Sequence, residues 1–143
     1  MGIRLDQINL VVGDMEAMAD FYGHLGVRLR GGDMSEWAPH HRNSVDRDGV
    51  SIDLDSAAFA SVWNQGWPGG TGVVLGFKVP ERDDVDRLYD ELTGAGHAGQ
   101  QPPHDAFFGA RYAVVADPDG NSVGIMSPID PARRTEGPPP PTT

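Results

Sequence analysis

The chain has 143 residues, 38% of them hydrophobic and 22% charged, which suits one soluble domain with a sizeable core. Eleven Lys and Arg against 21 Asp and Glu leave a net charge of −10, which repels phosphate backbones and anionic membranes and attracts cationic molecules. Without cysteine there is no disulfide framework, thiolate metal site or thiol nucleophile, and no apolar run reaches transmembrane length or forms a secretion signal, so a cytoplasmic location is expected.

In chain order, residues 5–12 alternate as a strand. Asp14 then caps a helix whose apolar face is Met15, Met18, Ala19 and Tyr22, closed by Gly26. Two short strands are expected near 27–30 and 37–47, and a turn at Asp48-Gly49 feeds an alternating strand with Val50, Ile52 and Leu54 on one face. Residues 56–72 are too polar and glycine-rich for a core element, yet carry Trp63 and Trp67. The pattern then repeats. A strand at 73–79 precedes a helix capped by Asp84, with Val85, Leu88, Tyr89 and Leu92 on its apolar face and Gly96 at its end. Strands follow near 98–101 and 109–116, with Pro102 and Pro103 interrupting the ladder, and Asp117-Pro-Asp-Gly turns the chain into a last strand holding Val123 and Ile125. Each half therefore reads β-α-β-β-β. The predicted fold class is α+β: two paired βαβββ modules, about 3–56 and 72–128, within one domain over 1–130, followed by a proline-rich, extended or disordered tail at 131–143.

Strand alternation sorts side chains onto two faces. Ile8, Leu10, Val12, Val50, Ile52, Leu54, Val73, Leu75, Phe77, Val79, Val123 and Ile125 should pack under the helices. The other face offers Gln7, Asn9, Ser51, Asp53, Val74, Gly76, Ser122, Gly124 and Met126, polar and small residues that suit a lined cleft.

Three segments resemble the vicinal oxygen chelate superfamily, which includes glyoxalase I, extradiol dioxygenases, fosfomycin-resistance enzymes and bleomycin-resistance proteins. They are QINLVVGD at 7–14, FYGHLG at 21–26 and ADPDGN at 116–121, and the resemblance spans 5–128. It implies modules that curl around a small-molecule cleft, and commonly a homodimer. In metal-dependent members, four inward positions hold the ion. They fall here on Gln7, Asp53, Val74 and Gly124, of which the last two offer no donor atom. No metal and no cofactor is therefore expected, and His40, His41 and His104 are read as solvated or hydrogen-bonded side chains.

Candidate ligand-binding residues are Gln7, Asn9, Trp37, Ser51, Asp53, Trp63, Trp67, Phe107, Phe108 and Tyr112. The tryptophans would either wall the pocket or plug an interface between modules or subunits. Adjacent Phe107 and Phe108 in a hairpin loop need a ligand or partner to bury them, Tyr112 suits sheet packing, and Arg111 would pair with an anion on the ligand or at the surface. Asp53 is the candidate catalytic residue: partial burial without a cation would raise its pKa and make it a general base or a cation anchor, the alternative being a solvated strand-end carboxylate. Three function classes follow. The first is a metal-independent binder of a planar or cationic antibiotic or secondary metabolite, of the bleomycin-resistance type. The second is a metal-free lyase or isomerase-type tailoring enzyme using Asp53 as base. The third is a metal-dependent glyoxalase or dioxygenase, which the missing donors disfavour.

Overall fold

A computed structural model describes residues 2–25, 27–30, 35–44 and 49–141. The expected closing Gly26, residues 45–48 of the second middle strand and its turn, and residues 142–143 lie outside these. The first module comprises β1 (Arg4–Val12), α1 (Met15–His24), β2 (Leu29–Arg30), β3 (His41–Ser44) and β4 (Ser51–Ser56). A helix α2 (Ala57–Trp63) leads into the second: β5 (Gly72–Lys78), α3 (Arg82–Gly94), β6 (Gly99–Asp105), β7 (Arg111–Ala116) and β8 (Ser122–Met126). The strands form one eight-stranded sheet in the order β2-β3-β4-β1-β5-β8-β7-β6. β1 runs parallel to β4 and β5 parallel to β8, and the modules join where β1 pairs antiparallel with β5. The α+β, two-module architecture is thus the one the repeat implies.

Local chemistry explains the helix starts. Asp14 accepts a hydrogen bond from the Ala17 amide at 3.0 Å, as an N-cap should. Asp84 is not the cap of α3. Glu81 holds that place and Asp84 sits three residues in, its Oδ2 accepting the Glu81 amide at 3.0 Å, one arm of a capping box. Gly96, with φ of +100°, ends the helix in a conformation that favours glycine.

The outer face carries α1 over Val12 and Leu54, and α3 packs its own Val85 against Val79, Ala113, Val115 and Ile125. Between the two helices the seam is bare: Val73 is 50% and Leu75 37% exposed, so these two, like Val50, are not the core positions that alternation alone predicts. Alternation chooses the face, and a helix must also lie above it. Pro102 and Pro103 do not end β6, because it is the edge strand and its irregular pairing tolerates missing donors.

The largest correction concerns residues 56–72. Ser56 caps α2 by accepting the Phe59 amide at 3.1 Å, and Phe59, Ala60 and Trp63 are buried. With Val11, Trp37, Val74, Tyr112 and Val114 they form the main cluster on the concave side. Glycines at 66–72 dilute the composition of the segment and conceal a seven-residue apolar helix. The proline-rich end also differs from a free tail. It stays extended but lies against the 106–110 turn: the Thr135 amide donates to the Phe107 carbonyl at 3.0 Å, Arg134 Nε to the Phe108 carbonyl at 3.3 Å, and Gly137 sits so close to the Phe107 ring that a Cβ would meet it at 2.6 Å.

Candidate functional site

The concave face of the first module forms the floor of a cleft of about 450 Å³, within the size range of small-molecule sites. Strand register arranges the floor in rows. Gln7 lies beside Ser51; Asn9 beside Asp53, itself beside Asn43; and Val11 beside Asp55, itself beside His41. The walls are aromatic: Phe59 and Trp63 from α2, Phe107 and Phe108 from the 106–110 turn, and Tyr112 from β7. That turn is held by an Ala106 amide to Ala110 carbonyl bond of 2.8 Å, and Gly109 takes φ of +102° with the Asp130 carbonyl packed where a Cβ would be, so no other residue fits there without shifting the backbone. Arg134 and Thr135, from the C-terminal segment, add to the lining of the cleft.

Its polar chemistry centres on Asp55, which is 2% exposed. Asp55 Oδ2 accepts the indole N–H of Trp63 at 3.1 Å, and Oδ1 is in short contact with His41 Nδ1. An ionised carboxylate only accepts, so this contact assigns the proton to Nδ1 and leaves the Nε2 lone pair as the acceptor of the neutral ring. Burial pulls the His41 pKa down, but the hydrogen bond to Asp55 and the charges of Asp55 and Asp53 outweigh it, and the net shift is upward. The Phe59 ring meets the imidazole edge-on at 5.4 Å. Tyr112 is held neutral far above its usual pKa, first by burial and then by the Asp55 charge. Asn9 Oδ1, buried on the floor, has no hydrogen-bond partner among the described residues. At the rim Asp6 bridges Arg4 at 2.9 Å and Lys78 at 3.5 Å.

Of the residues anticipated from sequence, Gln7, Asn9, Ser51, Asp53, Trp63, Phe107, Phe108 and Tyr112 line this cleft. Two do not. Trp37 is buried behind the wall, tilted against Phe59 at 4.8 Å and stacked on Phe107 at 5.8 Å. Trp67 packs its ring on Gly72 and donates to the Gly70 carbonyl at 3.3 Å, away from the cleft. Arg111 turns outward, gripping both oxygens of Asp86 at 2.9 Å and Asp105 at 3.2 Å. The Asp117 carboxylate accepts the amides of Asp119 and Asn121, the structural role expected of that turn. His41, Asn43, Asp55 and Phe59 were missed. Asp55 shares the parity of Asp53 and was legible on that ground, whereas His41 required the register of β3 against β4.

The positions at which metal-dependent relatives hold an ion do not fit one here. Val74 is packed in the aromatic cluster. A Cβ on Gly124 would lie 2.6 Å from the Tyr112 hydroxyl, so tyrosine fills the space of a ligand side chain. Gln7 lies across Gly76, whose Cβ would meet it at 2.7 Å. Among the described residues no three His, Asp or Glu side chains converge as metal donors. Among those residues, too, no helix is long and apolar enough to cross a membrane.

Solved structures share this fold. A Legionella pneumophila protein described as an NAD-dependent benzaldehyde dehydrogenase superposes with a TM-score of 0.62 at 20% identity, covering 85% of this chain and 96% of that one. A glyoxalase/bleomycin resistance protein/dioxygenase superfamily member from Vibrio splendidus gives 0.56 at 16%, covering 88% and 99%. The Mn(II)-bound glyoxalase from Novosphingobium aromaticivorans gives 0.60 at 20%, covering 86% of this chain and 38% of that one. At these identities the likeness is one of fold. No curated protein matches the chain. The family model of the Glyoxalase/Bleomycin resistance protein/Dioxygenase superfamily matches residues 4–125, most of the two modules just described, and the chain belongs to that superfamily.

Proposed function

We propose that the protein is a metal-independent small-molecule binder of the bleomycin-resistance type, holding a planar or cationic ligand in the cleft. The observation that carries this reading is an aromatic wall, with Trp63, Phe107 and Phe108, facing a floor that bears Asn9 and Asp53. Rings stack on such a wall, and a cation over one is worth about 0.5–2 kcal/mol beyond its contact area. The Asn9 oxygen accepts an N–H or O–H from the guest, removing the cost of a buried polar atom without a partner. A net charge of −10 raises the encounter rate of cations.

The test is titration of chelator-treated protein with 9-aminoacridine, a planar cation, and with neutral acridone, following tryptophan fluorescence and recovering the ligand afterwards. Saturable quenching with unchanged ligand supports the reading, and Asp53→Asn should weaken the cation at least about tenfold, or 1.4 kcal/mol, while sparing acridone. Quenching that appears only after a divalent ion is added overturns it.

A further inference from the structure

We propose that the same cleft is a proton-transfer site that works without a metal, with His41 Nε2 as general base toward an acidic C–H of a ring-bearing substrate and Asp55 as its positioning residue. The proposal rests on the binding reading for its location and adds chemistry to it.

Three independent constraints aim the imidazole. The β3–β4 register sets His41 directly across from Asp55, so the backbone fixes the pair before any side chain turns. Asp55 Oδ1 engages His41 Nδ1 while Oδ2 is held by the Trp63 indole, so the carboxylate cannot rotate away. The Phe59 ring closes one side of the imidazole. With Nδ1 committed, the lone pair lies on Nε2, and His41 reaches the cleft with its side chain 25% exposed while Asp55 is 2% exposed. A carboxylate that fixes the tautomer and stabilises the imidazolium formed on proton uptake is the arrangement a histidine base needs. The groups facing His41 are Asp53 and Asp55 from β4 and Phe59 from α2. Its neighbours on β3 turn elsewhere: Arg42 pairs with Glu16 and donates to the Ala38 carbonyl. His40, just before β3, bonds Ser56 Oγ at 2.8 Å.

The probe is 5-nitrobenzisoxazole, a planar ring system whose single step needs only a base. The C–H bond of its isoxazole carbon breaks, the proton passes to Nε2, and the electron pair forms the nitrile as the N–O bond opens, giving 2-cyano-4-nitrophenolate. No oxidant, reductant or ion takes part. With chelator present, wild type should exceed His41→Gln by about 10²-fold, the usual worth of a positioned general base. The wild-type pH–rate inflection should follow the His41 titration seen by NMR, which also reports Nδ1 protonation in the intact fold. Asp55→Asn should move that inflection to lower pH, a change that mere loosening of the fold would not make.

Turnover by wild type no faster than by His41→Gln overturns the proposal, and wild-type quenching by 9-aminoacridine in the same preparation leaves the binding reading standing. His41-dependent turnover without that quenching supports proton transfer and removes the planar-cation class instead. Should His41→Gln fail to fold by circular dichroism, an NMR spectrum of wild type with the proton on Nε2, or a rate inflection unrelated to His41, overturns the proposal on its own.

Discussion

Replacing Gly124 with alanine asks whether Tyr112 is fixed where relatives would place an ion. The added Cβ lies 2.6 Å from the Tyr112 hydroxyl oxygen and 3.2 Å from two ring carbons, well inside normal contact. The ring has no easy retreat. Trp63 meets it edge-on with centroids at 5.9 Å, His104 at 6.1 Å and Phe108 at 6.5 Å, and Tyr112 itself is 6% exposed. Overpacking a rigid site costs about 1–3 kcal/mol. With a urea m-value of about 2 kcal/mol/M, that is a midpoint lowered by roughly 0.5–1.5 M. Removing the clashing oxygen should return much of it, so the double variant Gly124→Ala/Tyr112→Phe should be more stable than the sum of the single changes, with a coupling of about 0.5–3 kcal/mol. Urea unfolding followed by circular dichroism reads all four proteins. A Gly124→Ala stability within about 0.5 kcal/mol of wild type, or strict additivity in the cycle, would refute the claim that Tyr112 occupies this space.

Trp63→Phe removes the donor from a fully buried carboxylate and should destabilise by about 1.5–3 kcal/mol in the same assay, on top of any loss from the smaller ring. Because the His41 pKa is raised in the folded state, its stabilising contribution is complete below about pH 6.5, the unfolded value, and is lost as pH rises through the folded value; Asp55→Asn should flatten this part of a stability–pH curve. Arg111→Ala, although it breaks contacts to Asp86 and Asp105, should cost only about 0–1 kcal/mol and leave 9-aminoacridine binding unchanged, since the pairs are partly solvated and lie outside the cleft. Ending the chain after Arg133 should cost about 0.5–1.5 kcal/mol, through loss of the Thr135 amide bond, and raise the accessibility of the Phe107 ring to solvent probes.

The repeat made the architecture legible. Both module helices carry their apolar face at the expected spacing, and the turn at Asp117 needs only local chemistry. The cleft floor was legible to the same depth, because Gln7, Asn9, Ser51 and Asp53 follow from period-two alternation on strands that exist. What escaped the sequence depends on objects that alternation does not encode. Whether Val73 and Leu75 are covered depends on where α1 and α3 land on the sheet. Whether Val74 faces a hollow or a packed wall depends on α2, whose seven residues are hidden beside a glycine-rich stretch. His41 was legible only as a solvated or hydrogen-bonded side chain on an expected strand, and only pairing with β4 reveals that its partner is Asp55.

The three indoles sit in three different settings: Trp63 in the cleft wall, Trp37 under the proline-rich end, and Trp67 on the start of β5. The molecule therefore carries its own set of reporters. Quenching lost in a Trp63→Phe protein but retained in a Trp67→Phe protein would locate a quencher in the hollow, while a signal that follows Trp37 would register lifting of the C-terminal strap, with no dye attached.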